Sequence, residues 1–422
     1  MSKIEELINE YCPNGVEYLS INEIATTYHG LSGKNKDDFK NGNSKFITYM
    51  NVYKNASTDL SDTSVVKINE NENQNNIKLG DILMTTSSEN IEDSGMISVV
   101  TKQPEENIYL NSFCFGIRIK DEYLSRFNFD YLKHLFRSKA IRKKIQKCSF
   151  GVTRFNLNKN KFLKIKIPVP PMEVQSEIVH ILDNFTLLTA ELTAELTARN
   201  KQYEYYSNKL LNFENNIKYK PIGEVADIIT DYVANGSFGE IAKNVQYKNF
   251  PDYAVLIRTA DYSNKFNKDK FVYIDEHAYN FLNKSKLYGG EIIINNVGAG
   301  VGTTFICPKL NIPMSLAPNS VMIKTKNNRF YYYWLKSKFG QNAMKSIISK
   351  SAMPKFNKTN FRKILVPVPP IEEQERIVNI LDRFDALTND INEGLPAEIE
   401  ARKKQYEYYR DKLLNFKELK EA

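Results

Sequence analysis

Pro168-Val-Pro-Pro-Met-Glu-Val-Gln-Ser-Glu-Ile-Val-His-Ile-Leu-Asp-Asn-Phe185 is written a second time as Pro367-Val-Pro-Pro-Ile-Glu-Glu-Gln-Glu-Arg-Ile-Val-Asn-Ile-Leu-Asp-Arg-Phe384, an offset of 199 residues. A second block follows each copy. Lys201-Gln-Tyr-Glu-Tyr-Tyr206 returns as Lys404-Gln-Tyr-Glu-Tyr-Tyr409, and Lys209-Leu-Leu-Asn-Phe213 as Lys412-Leu-Leu-Asn-Phe416, at an offset of 203. Fainter echoes precede them: Tyr18–Ala25 with Tyr219–Ala226, and Leu79-Gly-Asp-Ile-Leu83 with Gly289-Gly-Glu-Ile-Ile293. The chain therefore alternates a divergent body with a repeated segment, twice. This predicts an N-terminal helical segment (1–15), a first variable domain (16–167), a central helical spacer (168–216), a second variable domain (217–366) and a C-terminal helical spacer (367–422).

The repeated segments carry apolar residues three and four apart, the seam of a coiled coil. In the first copy these are Ile178, Ile181, Phe185, Leu188, Leu192 and Leu196; in the second, Ile377, Ile380, Phe384, Leu387 and Ile391. A helix from Met172 to Phe213 would span roughly 60 Å at ~1.5 Å per residue. Two matched seams can bury one another, most simply as an antiparallel pair. Gly394-Leu-Pro396 predicts a break in the second copy, with Pro396 in the first turn of a restarted helix. The tail Lys417–Ala422 is placed to meet the N-terminal segment Ile4–Tyr11 and close the body into a pseudo-two-fold circle. The variable bodies mix short apolar runs with Gly, Asn and Ser turns, so the fold class is α+β: two similar domains separated by two long helices.

Bulk properties narrow the function. A chain of 422 residues with 42% hydrophobic residues and a mean hydropathy of −0.46 reads as globular, without a membrane span or leader, hence cytoplasmic. Four cysteines and four histidines are scattered, which favours reduced structural thiols and no metal site. A net charge of +8 permits a polyanionic partner without demanding one. Polar loops supply candidate DNA contacts at corresponding places in both halves, because Lys and Arg suit phosphates and guanine while Asn suits adenine. In the first half they are Lys34, Lys36, Ser87, Ser88, Thr153, Arg154 and Asn156. In the second they are Asn235, Arg258, Asn295, Asn296, Lys350, Lys355 and Asn357.

The paired Pro-Val-Pro-Pro…Gln…Ile-Val…Ile-Leu-Asp…Phe segments, each ending near Lys-Gln-Tyr-Glu-Tyr-Tyr, resemble the conserved regions of Type I restriction-modification specificity subunits. The tandem Thr189-Ala-Glu-Leu-Thr-Ala-Glu-Leu196 resembles the spacer repeat of some members. The resemblance implies two target-recognition domains, each reading half of an asymmetric bipartite site on double-stranded DNA. It also implies conserved helices that dock two methyltransferase subunits, and a restriction subunit that joins the assembly. S-adenosylmethionine, ATP and Mg would belong to those partners, and this chain would have no catalytic residue, cofactor or metal. The residues agree: there is no Asn/Asp-Pro-Pro-Tyr/Phe methyltransferase box and no Gly-x-x-x-x-Gly-Lys-Ser/Thr phosphate loop. Gly298-Ala-Gly-Val-Gly302 reads as a turn rather than a cofactor loop. A coiled-coil adaptor, or a methyltransferase or nuclease subunit with an unrecognised site, is the alternative.

Overall fold

The computed structural model describes residues 3–213, 217–389 and 394–419, and the chain falls into two units. One comprises Met1–Thr193 with Glu398–Ala422, the other Ala194–Ala397. The five consecutive segments expected from sequence are thus regrouped, since each helical spacer is shared out. The helix Met172–Leu210 changes unit between Thr193 and Ala194, inside the tandem Thr-Ala-Glu-Leu repeat.

The first unit contains an antiparallel sheet ordered Ala25–His29, Cys114–Ile119, Ile82–Thr85, Ile97–Val99. The second contains the same arrangement: Ile228–Asp231, Ser320–Lys324, Ile292–Asn295, Thr304–Ile306. A second sheet also repeats. Ser44–Ile47 pairs antiparallel with Thr63–Val66 and parallel with Ile108–Leu110, as Ala254–Ile257 does with Val272–Ile274 and Met314–Leu316. The central strands read as unbroken apolar runs because both faces are covered. Ile82 and Met84 point into one core and Leu83 into another; Ile292 and Ile294 are divided from Ile293 in the same way. The Gly-Asp/Glu echo is a shared turn before these strands, with Gly80 at φ +84° and Gly290 at φ +90°.

Helices Phe129–Arg137 and Asn328–Lys336 follow the sheets, each capped by an asparagine (Asn128, Asn327) accepting from backbone N–H groups of the first turn. Tyr131 and Tyr331 then donate to the carbonyls of Pro168 and Pro367, at 3.2 and 3.3 Å. Gln175, fully buried, donates to the carbonyls of Arg126 (2.8 Å) and Pro170 (2.7 Å) and accepts from the Asn128 N–H (2.9 Å). Gln374 repeats one of these bonds, to Pro369 at 3.0 Å. Gln175→Ala strands a buried N–H and two carbonyls and should cost about 2 kcal/mol. Chemical denaturation measures this, with Gln175→Glu as the isosteric comparison.

The repeated helices carry two apolar faces, which corrects the seam read from sequence. Ile178 and Ile377 are fully buried in the cores of their own units, alongside Val174, Leu182 and Leu381. The helix-to-helix seam lies one step round the helix. In the first unit Phe185 stacks on Tyr409 (centroids 5.3 Å, 17°), and Ile181 and Leu413 line one groove. Advancing from Ile181 to Phe185 therefore descends from Leu413 to Tyr409, the antiparallel sense expected. In the second unit Phe384 stacks on Tyr206 (5.8 Å, 28°) and Ile380 is half-buried. Each unit thus pairs the first block of one copy with the second block of the other. Leu188, Leu192 and Leu196 are half-buried, Leu387 is exposed, and Ile391 lies outside the described residues. The two faces were merged in the sequence reading because their residues interleave at three- and four-residue spacings. The break near Gly394 is present: one helix covers Ile371–Asn389 and the next Leu395–Leu413, with Pro396 in its first turn.

Residues 15–18 meet residues 416–419 within the first unit. The Val16 N–H donates to the Lys417 carbonyl (2.9 Å), and the Val16 carbonyl accepts from the Leu419 N–H (2.8 Å). Gly15, at φ +108°, has no room for a Cβ, which would lie 2.5 Å from the Lys417 carbonyl oxygen. Tyr18 donates to the Phe416 carbonyl (2.8 Å) just as Tyr219 donates to that of Phe213 (3.1 Å).

A buried histidine clamps the sheet-bearing body of the first unit to its helices. His134 lies with Nδ1 2.9 Å from the Tyr406 hydroxyl and Nε2 2.8 Å from Asp183, which Lys133 also reaches at 2.8 Å. In the second unit Tyr333 and Arg329 hold Asp382 instead. Burial pushes the His134 imidazole below its ordinary 6.5, against the pull of Asp183. The unfolded chain then takes up the proton first. The histidine's contribution to stability is present above pH 6.5 and is lost as pH falls from there through the lowered folded value. Urea midpoints between pH 5 and 7.5 should decline with acidification more in the native chain than in His134→Gln.

Candidate nucleic-acid interface

In the first unit the loop leaving strand Ile82–Thr85 extends as Ser87–Ser88 and pairs with Phe155–Asn156, which folds back on Ser149–Phe150. Thr153, Arg154 and Asn156 are exposed on this hairpin. Ser87 is buried, its carbonyl accepting from the Tyr49 hydroxyl (2.8 Å) and its Oγ from Arg154 Nε (3.2 Å) and Nη2 (2.9 Å). Ser87 therefore positions the guanidinium. Ser88, also buried, closes the turn to Asn90.

The second unit builds the same place from other residues. The loop from Asn295 to Thr303 lies against 349–356. Val297 bridges to Lys355, Phe356 N–H donates to Asn296 (3.1 Å), and Gly298 N–H donates to Pro354 (2.9 Å). Gly298 and Gly302, at φ +90° and +87°, turn this loop, as read from sequence. Lys350 and Lys355 are exposed, Asn295 is buried, and the Asn296 Oδ1 is buried without a hydrogen-bond partner. Asn357 is a helix cap, accepting from the Asn360 N–H at 2.8 Å, as Asn158 does from Lys161 at 3.0 Å. The repeated Phe-Asn thus misleads: the structural counterpart of Asn156 is Lys355.

Three candidates, Lys34, Asn235 and Arg258, have their polar groups engaged within the fold. Lys34, with 4% of its side chain exposed, pairs with Glu72 and donates to the Lys67 carbonyl at 2.6 Å. Asn235 is shared among Tyr232, Ser285 and the Lys284 N–H. Arg258 grips the buried Asp261 with two nitrogens, at 3.1 and 2.6 Å. Composition cannot separate a lysine or arginine facing solvent from one that an acidic side chain of the fold has claimed. Lys36 is exposed but starts a short helical turn elsewhere in the unit.

Lys159 was missed. It shares a cleft of about 290 Å³ with His29, Ser32, Thr86, Ser112 and Leu157, beside the hairpin. Its ammonium sits 5.2 Å over the Phe115 ring, and burial lowers its pKa. The signal was available, since Lys358 stands 199 residues on, bonded to Asp231 at 2.8 Å. Also missed were the apolar residues at the tips, Val152 (90% exposed) and Met353 (64%). Among the described residues no group of three or more His, Cys, Asp or Glu could hold a metal ion, and no helix is long and apolar enough to cross a membrane.

Residues 13–202 and 214–401 each match the family model of the Type I restriction modification DNA specificity domain. A type I restriction enzyme specificity subunit of Haemophilus influenzae is 35% identical over 285 residues, covering 63% of this chain and 68% of that one. The EcoR124I/EcoR124II specificity subunit of Escherichia coli is 34% identical over 262 residues, covering 60% and 63%. In fold, the chain is similar to the crystal structure of a Type I restriction-modification S subunit from M. genitalium (TM-score 0.51, 14% identity, 95% and 96% covered). It is also similar to a chain from a type I system described for its complex assembly and conformational transition (TM-score 0.54, 16% identity, 96% and 98% covered).

Proposed function

The chain belongs to the family of Type I restriction-modification DNA specificity subunits, and on that premise we propose that its two units each read one half of an asymmetric, bipartite site on double-stranded DNA. One observation carries this reading. Both units present the same pair of loops on the same sheet, yet the side chains differ: Thr86, Ser87, Arg154 and Asn156 in one, Asn296, Val297, Met353 and Lys355 in the other. Equal geometry with unequal donors and acceptors is what recognition of two different base sequences requires. The chain is non-catalytic. Two methyltransferase subunits dock on the repeated helices and bring S-adenosylmethionine, and the restriction subunit with its ATP and Mg joins that assembly in the cytoplasm.

Adenine methylation, mapped by single-molecule sequencing in cells carrying this chain and its methyltransferase subunit, tests the proposal. The expected result is methylation at one asymmetric bipartite motif. Exchanging residues 349–356 alone should change the bases of one half-motif and leave the other. Methylation unchanged when this chain is removed would sink the reading in favour of an adaptor role.

A further inference from the structure

The two units differ in charge at one matched place. Lys159 and Lys358 stand 199 residues apart, and each opens a short helix, Lys159–Leu163 or Lys358–Phe361, behind an asparagine cap. The neighbouring strands fix what each lysine faces. In the first unit His29 pairs with Phe115, which pairs onward with Met84. In the second Asp231 pairs with Val321, which pairs onward with Ile294. Met84 and Ile294 are the third residues of equivalent strands, so His29 holds the position that Asp231 holds in the other copy. Lys358 accordingly donates to the buried Asp231 at 2.8 Å. Among the described residues Lys159 has no acidic partner, and its ammonium rests over the Phe115 ring instead.

What completes the first site is an anion. No carboxylate lines the cleft of about 290 Å³ at Lys159. His29, Ser32 and Ser112 line it instead, and their side chains form no hydrogen bond with any described residue. Each of them can donate. Burial already works against the Lys159 charge, and a ring offsets this less well than the charge-assisted hydrogen bonds that an anion's oxygens would accept. The position says which anion. Thr86 and Leu157 line the same cleft, and the Leu157 N–H donates to the Thr86 carbonyl (3.0 Å) at the root of the hairpin that exposes Arg154. A duplex whose base edge meets Arg154 brings its backbone to the flank of that hairpin. Phosphate contacts made there fix register without reading sequence.

We propose that Lys159, with His29 and Ser112, holds one backbone phosphate of the DNA on the first unit, and that the second unit makes no such contact because Asp231 supplies the anion from within. The assignment rests on the DNA reading proposed above and adds an asymmetry to it. One half-site is clamped by its backbone at this cleft, and the other is not.

Salt-dependent binding of the cognate duplex to the full chain with its methyltransferase subunit tests it. Lys159→Met keeps the stem against Phe115 and removes the charge, so the thermal melt should stay as it was. The slope of log K against log salt should fall by about 0.9, and affinity roughly 5- to 10-fold at 0.1 M salt, evenly across singly substituted duplexes. Lys159→Arg should keep both. His29→Asp, which installs the second unit's partner, should lose as much as Lys159→Met. Lys358→Met with Asp231→Asn removes the other ion pair without net charge and should leave the slope unchanged; a reduced slope there would refute the asymmetry. A single methylphosphonate, stepped along the duplex, locates the phosphate. At one position it should weaken the native protein as Lys159→Met does, and add nothing to that variant. If no position couples in this way, Lys159 holds no DNA phosphate and the proposal falls. It falls equally if inorganic phosphate raises the melt of the native chain, but not of Lys159→Met, while no methylphosphonate couples, the anion then being a free one. A native complex that binds no DNA would instead overturn the reading of bipartite DNA itself.

Discussion

Asp81→Ala should destabilise the first unit by about 3 kcal/mol. Asp81 is 1% exposed and accepts from the Tyr28 hydroxyl (2.6 Å), Arg118 Nε (2.9 Å) and Nη2 (2.7 Å), and the Lys78 N–H (2.8 Å). Alanine leaves a guanidinium, a phenol and an amide without their acceptor. Removing one partner of a buried pair costs about 3–5 kcal/mol, and the lower end applies because the Arg118 side chain keeps 29% exposure. Tyr28 also packs on Gly116 and lies 4.7 Å beneath Arg118, so the loss reaches the sheet. The readout can be divided by unit. The single tryptophan, Trp334, is buried in the second unit, so its fluorescence follows that unit's unfolding while circular dichroism follows both. The expected result is a dichroism transition moved to lower urea with an unmoved fluorescence midpoint. An unshifted dichroism curve would show that Asp81 has no such weight.

Arg154→Ala should weaken binding to the cognate site by about 10- to 100-fold, the worth of one bidentate base contact at roughly 1–3 kcal/mol. The side chain is exposed on the hairpin yet oriented by two hydrogen bonds to the buried Ser87, so little entropy is lost when it meets a base. Electrophoretic shift with cognate and singly substituted duplexes reads the effect. If Arg154 reads a base, discrimination at one base pair relaxes in the variant. If it meets only phosphate, affinity falls evenly across sequences and the salt dependence becomes shallower by about one ion. Ser87→Ala, which frees the arginine without removing it, should cost less than Arg154→Ala.

Much of the architecture was legible before any coordinates, because the chain carries its own comparison. Repetition at an offset of 199 exposed the two-copy plan. The proline-led helices and the restart at Pro396 follow from backbone chemistry that needs no neighbours. Even the Leu79-Gly-Asp and Gly289-Gly-Glu echo marked a common turn whose glycines take positive φ. The candidate loops were legible as loops, and the structure brings Ser87 and Arg154 together, and sets the Asn295–Thr303 loop against the segment that carries Lys355.

The individual contacts were not legible. Lys34 looks like Arg154 in sequence, but Glu72, 38 residues away, takes it. Asn357 looks like Asn156 until the helix it caps is seen. Ile178 fits the coiled-coil spacing, yet it faces a domain core, because one helix bears two apolar stripes whose spacings overlap. By itself the sequence determined the repeat, the element types and the family, since periodicity, proline and glycine act over a few residues. Only the tertiary structure decided which polar side chains remain free and which halves of the repeated helices pair. Those outcomes depend on partners brought from distant parts of the chain, a block at 185 meeting one at 409 and a block at 384 meeting one at 206, and local patterns hold no record of which distant surface will arrive.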